Sequence, residues 1–61
     1  MRSIKEVLMT RDNISAEEAD DLIEDAQNDL NHLLSIGDQE AAYEICADRF
    51  CLEPDYLMQL L

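Results

Sequence analysis

The chain has 61 residues and a net charge of −11, from fifteen acidic side chains against four basic ones, Arg2, Lys5, Arg11 and Arg49. That balance opposes binding to DNA, RNA or anionic lipid, and the length allows one small domain, of a size that buries only about 60% of its unfolded surface. Apolar residues still make up 48% of the chain, which argues against disorder.

The first predicted helix is short. "SIKE", Ser3 to Glu6, has the form of a capping box, in which the serine hydroxyl accepts from the Glu6 N–H and the glutamate reaches back. Ile4, Val7 and Leu8 form its apolar stripe, and "RDN", Arg11 to Asn13, is the turn. "SAEE", Ser15 to Glu18, opens a second helix in the same way, with Ile14 and Ala19 placed as a hydrophobic staple. Ala19, Leu22, Ile23, Ala26, Leu30, Leu33 and Leu34 follow at steps of three and four. At about 100° per residue they span an arc of roughly 120°, one helix face. Glu17, Glu18, Asp20, Asp21, Glu24, Asp25 and Asp29 fill the opposite half. Gly37 suits the left-handed position after the last turn.

Asp38 is the predicted N-cap of a third helix, "QEAAYEICADRF". Only Glu40, Glu44 and Asp48 mark a narrow wet strip on it, and apolar residues cover most of the remaining circumference. A helix apolar on most sides is expected to be surrounded, so this one is predicted to be the central element. "CLEP" is the next turn, Pro54 suits the first position of a last helix, and "PDYLMQLL" is that helix, rich in apolar residues. No strand alternation occurs. The predicted fold is all-α: one compact domain over 1–61, a bundle of three main helices plus one short helix, with a helix–turn–helix-like C-terminal half.

Side chains capable of chemistry are few. Asp25, Asp29 and His32 share the polar side of helix two, but hard cations want six or more oxygens in a folded loop, and zinc wants four ligands. No metal site is expected; His32 is read as an exposed residue held by the helix dipole and Asp29. Ser3, Ser15 and Ser35 lie at helix ends or turns, and there is no glycine-rich phosphate loop. Cys46 sits on an apolar arc and Cys51 in a turn; two cysteines are no disulfide framework, and both are expected as free thiols. No run is long and apolar enough to span a membrane, and no signal peptide is evident. The expectation is therefore a non-enzymatic cytoplasmic protein without cofactor.

"AAYEICADRFCLEPDYLMQLL", residues 41–61, resembles the helix–turn–helix of phage repressors. Ala47 matches the small residue of the first helix, Cys51 stands where that family usually has glycine, and Pro54, Leu57 and Leu60 match the start and inner face of the second. A reading helix needs basic or amide side chains for base edges and basic flanks for phosphates. This one offers Glu53, Asp55 and Gln59, so the resemblance implies the packing without the DNA binding. In its capped short helices, "SAEEADDLIEDA" and "LEPDYLMQLL", the chain as a whole resembles the small acidic helical proteins of tailed phages and prophages. That resemblance implies an accessory protein of a mobile element.

Two functional surfaces are expected. The first is an apolar seam of Tyr43, Phe50, Leu57 and Leu61, through which the chain pairs as a homodimer and acts as a protein–protein interaction module. The alternative is the acidic face, Glu17, Asp21, Glu24 and Asp25, mimicking nucleic acid to occupy a basic surface on a host protein. The carboxylates of helix two fall at about one per 2.6 Å of axis, against one charge per about 1.7 Å of duplex DNA. The plainer reading of the same face is a solvated surface, with acids in the first turns suiting the helix dipole.

Overall fold

The computed structural model describes residues 2–61. Three α-helices, α1 (Ile4–Arg11), α2 (Ala16–Ser35) and α3 (Gln39–Phe50), are followed by a 3₁₀ helix, Pro54–Gln59. The fold is all-α with three main helices, and α2 packs against both α1 and α3 in a body of 34 × 19 × 16 Å. At about 1.5 Å per residue α2 alone is roughly 30 Å long, and so sets the long axis.

The helices begin where the side chains can cap them. Ser3 Oγ accepts from the Glu6 N–H and Ser15 Oγ from the Glu18 N–H, both at 3.1 Å, and Asp38 Oδ1 accepts from the Ala41 N–H at 3.2 Å. Each such bond stabilises its helix by about 1 kcal/mol. Of the first capping box only the serine half forms among the described residues, because the Glu6 carboxylate turns to Arg2. The helix ends are equally specific. Gly37, at φ 78°, closes α2 in a Schellman motif, its N–H donating to the Leu34 carbonyl while the Asp38 N–H donates to that of Leu33. Cys51 closes α3 in the left-handed conformation, φ 55° and ψ 39°, its N–H donating to the Ala47 carbonyl. It thus does the work that glycine does in most such turns.

The apolar stripes meet in one core. Ile4 and Leu8 of α1, Ala19, Ala26 and Leu30 of α2, Ala42, Ile45, Cys46 and Phe50 of α3, and Leu60 are buried together. Ile14, the outer half of the expected staple, packs against them. The α2 stripe is buried only along its centre. Leu22 and Leu34, at the two edges of its roughly 120° arc, are 45% and 46% exposed.

Two expectations require correction. First, α3 is not surrounded. Its buried residues span an arc of about 140°, while Tyr43 and Ala47 are exposed and Ala41 is half-buried. Its main neighbours, α2 and the 3₁₀ helix, do not encircle it. Second, the last helix is 3₁₀ rather than α. At about three residues per turn, positions i and i+3 eclipse. Pro54 and Leu57, which lead on to the buried Leu60, therefore face inward, while Asp55 and Met58 face outward.

The cations tie the elements together. Lys5 Nζ lies 3.1 Å from Asp20 Oδ1, joining α1 to α2, and the Arg49 guanidinium pairs with the Asp29 carboxylate, joining α3 to α2. Arg11 pairs with Asp12 and donates to the Phe50 carbonyl at 2.6 Å, joining the end of α1 to the end of α3. Gln59 holds the two ends of the chain together: its side-chain carbonyl accepts from the Ile4 N–H at 2.7 Å, and its amide donates to the Arg2 carbonyl at 3.0 Å. An N–H of the first helical turn, which the helix itself cannot satisfy, thus gains a partner 55 residues away.

Candidate functional site

Tyr43 of α3 and Pro54, Asp55, Leu57, Met58 and Gln59 of the 3₁₀ helix line an open groove of about 480 Å³. Two of the large apolar side chains that line it stand in water, Tyr43 at 57% exposed and Met58 at 81%, and Leu61, three residues after Met58, is 75% exposed. Local geometry puts them there. Tyr43 lies just outside the buried arc of α3, about 20° around the helix from Phe50. Met58 falls on the outward side of the 3₁₀ helix, and Leu61 lies beyond its last residue, Gln59.

The expected seam is only partly assembled. Tyr43 and Leu61 are exposed, as a binding surface needs, and Leu57 lines the groove while packing partly against the core. Phe50 is corrected: at 3% exposure it fills the core, where no partner reaches it. Leu57 and Leu61, four residues apart, would share one face of an α-helix, but the 3₁₀ helix ends at Gln59, with Leu57 packed partly against the core and Leu61 exposed beyond the helix. Met58, which was not among the expected seam residues, lines the groove. The apolar run at 56–61 pointed to this residue, yet its face depended on the helix type.

The acidic face is laid out as expected. Glu17, Asp21, Glu24 and Asp25 are all exposed on the side of α2 away from the core. Of fifteen acids, four (Glu6, Asp12, Asp20 and Asp29) engage the four basic side chains, which leaves eleven without an ion-pair partner among the described residues. Every lysine and arginine is engaged in an ion pair, so among the described residues none is left free to place on a phosphate.

Other candidate groups have structural employment or none. Asp29, expected to hold His32, is taken by Arg49. Among the described residues no three His, Cys, Asp or Glu side chains stand where they could hold a metal ion. Cys46 is buried, and burial pushes its thiol pKa up, away from the reactive thiolate; Cys51 is exposed, and both are free thiols. The Arg11 guanidinium, hydrogen-bonded to Asp12, holds that carboxyl below the ordinary aspartate range. No helix among the described residues is long and apolar enough to cross a membrane. No family model, curated protein or solved structure matches the chain.

Proposed function

We propose that this chain is a non-enzymatic protein-interaction module that binds through the apolar surface at its groove. The observation that carries this reading is the exposure of Tyr43 and Met58 at a groove also lined by Leu57, with Leu61 exposed three residues after Met58. Large apolar side chains gathered at one place on a small acidic domain are a binding surface waiting for cover. Burying three of them fully contributes about 1.5–3 kcal/mol each. Association costs about 4–15 kcal/mol in lost freedom. The apolar surface alone therefore supports weak binding, and a firm complex needs polar or charged contacts around it. A homodimer through the same surface gains the apolar term but brings two chains of −11 together, so its formation should depend on salt.

A second reading rests on the eleven carboxylates without an ion-pair partner among the described residues: an inhibitor whose acidic α2 face occupies a basic surface. Affinity capture separates the two. Met58→Asp should abolish capture of the partner, while Asp21→Asn with Asp25→Asn should leave it intact. The opposite pattern would move the function to α2.

A further inference from the structure

We infer that the groove between α3 and the 3₁₀ helix takes a cationic amphipathic segment of another protein, apolar side chains inward and lysine or arginine at the rim. This rests on the interaction-module reading and adds the chemistry of the partner.

The lining of the groove is mostly apolar, through Tyr43, Pro54, Leu57 and Met58. Its surroundings are acidic. Asp55 is part of the lining, Glu53 stands at the N-cap of the 3₁₀ helix, and Glu40 lies one turn before Tyr43 on α3. All three are exposed and have no ion-pair partner among the described residues. Among the described residues no unpaired lysine or arginine offsets them. Arg2, whose carbonyl Gln59 holds, turns its own guanidinium to Glu6 and Thr10. An apolar segment without charge would gain contact but leave these carboxylates uncompensated at the rim. A second copy of this chain would bring eleven further net negative charges. A segment with cations flanking its apolar face meets both features, and its attraction reaches over about a Debye length. The groove is open to solvent, so a segment of another protein can reach its apolar lining.

The test uses the full chain and two synthetic amphipathic helices, one of leucine and lysine, the other with every lysine replaced by glutamine. Calorimetric titration at physiological salt should show binding of the lysine peptide at least about tenfold tighter than of the glutamine peptide. Tyr43→Ala and Met58→Ser change exposed side chains, so both variants should remain folded by circular dichroism. Each should weaken the lysine peptide about tenfold. Asp21→Asn with Asp25→Asn should change it by no more than about twofold. Equal binding of the two peptides at the groove would overturn the cationic partner and leave the interaction module standing. Loss of binding in the α2 variant but not the groove variants would show mere attraction to the acidic helix and overturn the proposal. So would failure of both peptides to bind, or sedimentation showing the groove filled by a second copy through Met58.

Discussion

Leu30→Ala tests the packing on which the groove depends. Leu30 is 1% exposed and lies at the centre of the α2 stripe, in the cluster that joins α2 to α3. Its α2 companions in the core, Ala19 and Ala26, are too short to fill the space a leucine leaves. Truncations of this kind cost about 2–5 kcal/mol, more where the site cannot collapse, so about 3–4 kcal/mol is expected. At about 0.05–0.15 kcal/mol per residue, a domain of 61 residues has a stability of about 3–9 kcal/mol. The substitution therefore removes a large part of the total. Urea unfolding followed by circular dichroism, with a slope of about 1 kcal/mol per molar for so small a chain, should show the midpoint falling by about 3 M. Leu34→Ala is the control. It sits on the same stripe but at its edge, 46% exposed, and should cost less than about 1 kcal/mol. Equal shifts for the two variants, or a shift below about 1 M for Leu30→Ala, would refute this account of the core.

Four further outcomes are expected. Thermal unfolding should move upward from low to moderate salt, because screening relieves repulsion among eleven unpaired carboxylates more than it weakens four surface ion pairs; a falling melting temperature would contradict that balance. Cys51→Gly should stabilise the chain by about 0.5–1 kcal/mol, since glycine takes the left-handed backbone of Cys51 without steric cost, and chemical denaturation measures it. In an NMR titration the Asp12 carboxyl should protonate below the ordinary aspartate range, and Arg11→Gln should bring it back up. Because the folded pKa is depressed, this pair's contribution is present above the unfolded pKa and is lost as pH falls through the folded one. Random duplex DNA should show no binding by fluorescence anisotropy at physiological salt, because every lysine and arginine is already paired; micromolar binding would undercut both functional readings.

Local signals in the chain were legible, and long-range ones were not. Ser3, Ser15 and Asp38 announced the helix starts and Gly37 the end of α2, because a cap is decided within a few residues. The centre of the α2 stripe was legible from its spacing. Its exposed edges at Leu22 and Leu34 were not, because they depend on how far α1 and α3 reach around α2. On α3 the apolar residues run most of the way round, so the wheel alone did not choose between Phe50 and Tyr43; the neighbours put Phe50 inside. The last helix carries apolar residues three and four apart, a pattern that both α and 3₁₀ helices accept. Its tie to α1 through Gln59 and Ile4 spans 55 residues and leaves no local trace. The same is true of Lys5, Arg11 and Arg49, which composition counted only as charge but which join each pair of α-helices.

Site-specific photo-crosslinking addresses the central claim most directly. A photoreactive amino acid placed at Met58, at the groove, or at Asp21, on the acidic face, leaves the fold intact, since both positions are exposed. After irradiation in cells that produce the protein, the Met58 probe should yield a discrete adduct with another protein, and the Asp21 probe should yield none. Adducts from Asp21 with none from Met58 would contradict the account and place the working surface on α2.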